Sequence, residues 1–129
     1  MIRLALIAAA ALAATAPAIA RNGPPGLPAT MHGIWGYSAE SCTNEADDGR
    51  VEVKARSVTF FASACSFSRF RRSGDGAVTG HGRCRGEGET TVEPSSVRLR
   101  HESRDRLLIS LDGGEGSTYQ RCERPIPVR

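Results

Sequence analysis

The chain has 129 residues and a formal net charge of +3, enough for one domain and too little charge bias for a nucleic-acid-binding tail. Lys54 is the only lysine among seventeen basic residues, and the charges are interspersed, Arg98, Arg100, Arg104 and Arg106 alternating with Glu102 and Asp105. Arg69-Phe70-Arg71-Arg72 is the one local basic cluster, so nucleic acid is not an expected partner.

Met1-Ile2-Arg3, the Ala/Leu-rich run from Leu4 to Ala14 and the small residues Ala18-Ile19-Ala20 read as a secretory signal cleaved after residue 20. The run is mostly alanine and is interrupted by Thr15 and Pro17. It falls short of the roughly 20 strongly apolar residues that span a bilayer, so no integral membrane segment is expected after cleavage. Export leaves roughly 109 residues and points to a periplasmic or secreted protein. Residues 21–31 begin with "RNGPPGLPAT", whose three prolines and two glycines predict an extended or flexible arm.

From His32 to about residue 124 the pattern is one of short strands and turns, and a tail of residues 125–129 follows. Gly33 to Ser38 opens the series. Val51 and Val53 then alternate with Glu52 and Lys54, and Val58 and Phe60 flank Thr59 after a turn near Arg56. Cys65 and Phe67 alternate with Ser66 and Ser68, running on towards Phe70. A turn at Ser73-Gly74-Asp75-Gly76 precedes a strand from Ala77 to Cys84. There Gly80 and Gly82 share a face, which suits a bend or a close approach of the neighbouring chain. Val97, Leu99 and His101 form the next alternating set, then Leu107, Ile109 and Leu111 after a turn at Ser103-Arg104-Asp105. Asp112 to Gly116 leads into a last strand, Ser117 to Cys122.

Seven or eight antiparallel strands, each with one apolar face, must close or stack to hide that face and the edges. An all-β, up-and-down barrel is the expected architecture, with a small β-sandwich as the alternative. In a barrel of such short elements side chains alone fill the interior, so a packed core is expected in place of a ligand cavity.

Cys42, Cys65, Cys84 and Cys122 form an even set without close C-x-x-C pairs. They read as two structural disulfides, with three pairings open, and neither as a zinc site nor as a redox motif. His32, His81 and His101 lack metal-ligand spacing and read as surface or strand-end residues. Glu87 and Glu89 suit a solvated turn better than an acid–base pair. "GHGRCRGEGE" lacks the Lys-Ser/Thr end of a phosphate loop, Asp112 to Gly116 lacks calcium-loop spacing, and no nucleophile elbow occurs. The chain therefore reads as non-enzymatic and without a cofactor or a metal. Phe61 and Phe70 fall on the opposite parity to Phe60 and Phe67, which marks Phe61 and Phe70, with Arg69, Arg71 and Arg72, as a candidate partner surface.

"GIWG" at Gly33–Gly36 resembles the Gly-x-Trp that opens the first strand of lipocalin-like (calycin) barrels. That resemblance implies that Trp35 plugs one barrel end with Arg121, from "TYQRC", packed across the indole as a cation–π pair. The whole exported part resembles a group of small four-cysteine bacterial periplasmic proteins of uncharacterised function. The shared features are Trp35, Cys42, Cys65, "CRGEG" from Cys84 to Gly88, and Arg121-Cys122. The resemblance implies the pairings Cys42–Cys65 and Cys84–Cys122. The N-terminal part also resembles periplasmic metalloprotease-inhibitor barrels, whose extended arm enters the protease cleft, although these carry a single bridge. The expected function is thus that of an exported binding or envelope-accessory protein, acting on a protein or a small apolar ligand. The alternative is a protease inhibitor acting through the N-terminal arm.

Overall fold

The computed structural model of the chain describes residues 26–122. The expected signal (residues 1–20), residues 21–25 of the arm, residues 123–124 and the expected tail (125–129) lie outside the described residues. The eight strands are β1 (Gly33–Gly36), β2 (Arg50–Val53), β3 (Ser57–Thr59), β4 (Ser63–Arg72), β5 (Val78–Gly86), β6 (Glu93–Ser103), β7 (Arg106–Leu111) and β8 (Ser117–Arg121). They form one closed barrel in sequence order, every neighbouring pair antiparallel, and β8 returns to pair with β1. Closure excludes the sandwich and removes every free edge. A 3-10 turn, Ala29–Met31, precedes β1, and one helical turn, α1 (Ala39–Thr43), follows it.

The period-two alternation of the sequence is what fills the barrel. Trp35, Val51, Val53, Val58, Cys65, Phe67, Val78, Val97, Leu99, Leu107, Ile109 and Tyr119 all join one buried core. Each fully buried Val, Leu or Ile contributes about 1.5–3 kcal/mol. Leu27 and Met31 join the same core at 3% and 2% exposure. The segment from Gly26 is therefore packed into the barrel: two large apolar side chains gain more from burial than a short arm gains from freedom.

β4 and β5 carry a β-bulge, with Phe67 opposite Gly82 but Arg69 opposite His81. A side chain at Gly82 would place its Cβ 1.9 Å from the Ser66 carbonyl oxygen, so the bulge needs glycine there. The extra residue also resets the parity of β4, which corrects the expectation for Phe70. Phe70 turns inward beside Phe67, and a Cβ on Gly80 would meet both rings at 3.1–3.2 Å. Of the predicted aromatic pair, Phe61 is exposed and Phe70 packs against the core.

Two disulfides form, but not in the pairing that the resemblance implied. They are Cys42–Cys122 and Cys65–Cys84. Cys65 and Cys84 stand directly opposite each other in the β4–β5 register, which fixes that bond. Barrel closure supplies the other, because β8 lies against β1 and the Cys122 amide donates to the Ile34 carbonyl. The α1 turn packs on β1 there, with the Cys42 sulfur 3.4 Å from the Cβ position of Gly36. Persistent disulfides belong to oxidising compartments, so the chain is one that functions outside the cytoplasm. Among the described residues no helix is long and apolar enough to cross a membrane.

Candidate functional site

One end of the barrel is built as a lock. Gly33, at φ +127°, lets the chain swing from the 3-10 turn into β1, so that Trp35 enters the core with no exposed surface. The indole Nε1 donates to the Met31 carbonyl at 3.0 Å, and the Arg121 guanidinium carbon lies 4.3 Å from the ring centroid. The same guanidinium donates to the carbonyls of His32 (3.2 Å) and Thr30 (2.6 Å), and Asp105 stands 3.6 Å away. The Leu27 amide donates to Ala55, and His32 Nε2 lies 2.7 Å from the Leu27 carbonyl. His101 borders the indole at 6.1 Å, its Nε2 3.3 Å from the Thr30 hydroxyl. These contacts tie the N-terminal segment to the barrel end, where the buried His101 Nδ1 is left without a hydrogen-bond partner among the described residues.

At the opposite end Tyr37 stacks on Tyr119 at 4.6 Å, and the Tyr119 hydroxyl donates to that of Tyr37 at 3.2 Å. Burial, then that hydrogen bond, pushes the Tyr119 phenol above its ordinary value. Asp47 accepts from the Ser41 hydroxyl and the Gly49 amide, which hold its carboxyl below the ordinary value. Phe61, 53% exposed, lies among charges of both signs here: Glu45, Asp47, Arg50 and Glu52 share one hollow with it, Arg85, Glu87 and Glu89 another. Ten residues of strand separate this end from Arg72, roughly 30 Å. Phe61 and the cluster Arg69, Arg71 and Arg72 are thus not one surface.

The arginines belong to a different feature, the outer wall of β4, β5 and β6. After the bulge Arg69 and Arg71 are exposed on β4, and His81, Arg83 and Arg85 are exposed in alternation on β5. Arg69 stands opposite His81 and Ser66 opposite Arg83. On β6, Arg98 and Arg100 are neutralised by Asp75, whose carboxyl is lowered first by the Ala77 amide and then by these two arginines. Among the described residues Arg69, Arg71, Arg72, Arg83 and Arg85 make no ion pair. A groove of about 680 Å³ crosses this wall at the bulge, lined by Ser66, Ser68, Arg69, His81, Arg83 and Asp112, with Pro94 to Ser96 along its side.

Sequence reasoning found Arg69 but not the groove. The signal in the chain that points to it is the alternation His81, Arg83, Arg85 within "GHGRCRGEGE". Its partner residues across the sheet are set by register, and the bulge that re-aims Arg69 has no sequence mark beyond Gly82.

Among the described residues no three His, Cys, Asp or Glu side chains converge as metal ligands. No protein-family model, curated protein or solved structure matches this chain.

Proposed function

We propose that this is an exported, periplasmic or secreted, non-enzymatic protein that binds its partner on the outer wall of the barrel. One observation carries the reading. The interior is filled by its own side chains, from Trp35, Val58, Val97, Leu99 and Leu107 at 0% exposure to Tyr119 at 6%, while unpaired cationic side chains gather outside on β4 and β5. A small apolar ligand would need to displace that core. Inhibition through the arm would have to work without Leu27 and Met31, which are held in the barrel, and so would fall to residues 21–25 and the exposed Ala29 and Thr30.

Two measurements test this reading. The protein recovered from the exported fraction is expected to start at Arg21 and to carry no free thiol by intact mass. An apolar fluorescent probe is expected to show no saturable energy transfer from the buried Trp35. Saturable transfer that persists after Phe61→Ser and after Arg69→Gln/Arg83→Gln would move the ligand inside and overturn the outer-wall reading, and a retained leader with four free thiols would overturn export.

A further inference from the structure

We infer that the groove at the β4 bulge is a binding site for a carboxylate-bearing saccharide chain, a uronate-type polymer. This inference rests on the outer-wall reading above and names the ligand class.

Three departures from regular barrel geometry meet in this one groove. The first is the Phe67–Arg69 bulge, which turns Arg69 outward opposite His81. Next comes Gly82, whose missing Cβ lets β5 approach the Ser66 carbonyl. The third is Asp112, the only non-glycine with a positive φ among the described residues, at +50°. Asp112 is held in that conformation from β6: its Oδ1 accepts from the Ser95 hydroxyl at 2.9 Å and from the Ser96 amide at 2.8 Å. Asp112 and Gly113, both at positive φ, form the turn that leaves β7, and the bonds from Ser95 and Ser96 set the Asp112 carboxylate at the groove. The bulge with Gly82 re-aims Arg69 toward the same place.

The chemistry of the lining selects the ligand. Arg69 and Arg83 present planar donor forks that match a carboxylate bidentately. Ser66 and Ser68 add hydroxyls that both donate and accept. Asp112 adds a carboxylate, which accepts only and would repel a ligand made of anionic groups alone, but would take hydrogen bonds from sugar hydroxyls. A site with donors for anions and an acceptor for hydroxyls therefore fits an acidic sugar better than a polyphosphate or an acidic peptide. Nucleic acid lacks its stacking platform here, because Phe67 and Phe70 both turn into the core.

The test uses titration calorimetry on the exported, oxidised chain with a short oligogalacturonate as probe. Polyglutamate, polyphosphate and a single-stranded oligonucleotide are the comparators at matched charge and salt, and the neutral methyl ester is the comparator at matched length. The acid form is expected to bind, and the methyl ester and the doubly substituted Arg69→Gln/Arg83→Gln chain to bind at least about tenfold more weakly. Asp112→Asn, which keeps tolerance for positive φ, is expected to lose affinity for the saccharide and to gain it for polyphosphate. Arg104→Gln, an exposed change in the β6–β7 turn, is expected to leave binding unchanged. Unchanged near-ultraviolet dichroism shows that each variant is folded.

Equal binding of polyglutamate, polyphosphate or the oligonucleotide would overturn the saccharide assignment. So would tighter saccharide binding by Asp112→Asn, or no binding of the acid form. The outer-wall reading survives any of these results unless the Trp35 probe also reports an interior ligand.

Discussion

The barrel has a short side and a long side, and they are held by different means. β1, β2 and β3 have four, four and three residues, and β1 meets β8 through only two register pairs. β4, β5 and β6 have ten, nine and eleven residues, with long ladders between them. The short side cannot close on backbone hydrogen bonds alone. It is fastened by the Trp35–Arg121 lock, by Leu27 and Met31, and by Cys42–Cys122. The long side has ladder to spare, and there the chain carries a bulge and unpaired arginines, with Asp112 of the β7–β8 turn bonded to β6 beside them. Irregularity, and with it the candidate site, collects where the fold can bear it.

This contrast can be broken most directly through the disulfides. Cys42–Cys122 closes 80 residues and Cys65–Cys84 closes 19, so loop-closure entropy assigns them about 4.5 and about 3 kcal/mol. Chemical denaturation of the Cys42→Ala/Cys122→Ala and Cys65→Ala/Cys84→Ala pairs should show the first less stable by about 1.5 kcal/mol. Equal losses would remove the distinction between seam and wall.

Gly82→Ala probes the long side's tolerance. Its Cβ must push the Ser66 backbone away, for a loss of about 2–3 kcal/mol, with β4 amide exchange quickening around the bulge. A neutral outcome would mean that the bulge is not fixed by glycine. Arg121→Met keeps the aliphatic stem but drops the indole contact and two hydrogen bonds to carbonyls, for about 1–2 kcal/mol. Proteolysis should then cut more readily near the 3-10 turn than in β4 or β5.

The smallest expected effect is at Asp75, on the long side. Its carboxyl is depressed by the Ala77 amide, Arg98 and Arg100, so its contribution is present above the ordinary value of 3.8 and fades as pH falls through the lowered value. Asp75→Asn should be less stable than the parent at neutral pH, and the two urea midpoints should converge in acid. A gap that persists at low pH would assign the loss to packing.

The strands were readable one at a time, because alternation within a strand depends only on near neighbours: Val51/Val53, Val97/Leu99 and Leu107/Ile109 all point where their spacing says. Trp35 and Arg121 could be paired in advance only through a resemblance, since they stand 86 positions apart in the chain. Phe70 was misplaced because a single bulge residue flips parity downstream. The groove was invisible for a related reason: Arg69, Arg83 and Asp112 come from three separate places in the chain.

By itself, then, the sequence determined local periodicity, a strand number of seven or eight, turn positions and the presence of two bonds among four cysteines. Those follow from side-chain alternation and composition, which short windows contain. Tertiary structure alone decided which cysteines meet, that Leu27 and Met31 complete the core, and that a basic groove crosses the bulge. Each of these depends on register between strands and on closure of β8 against β1, and register is a property of pairs of segments that no single segment encodes.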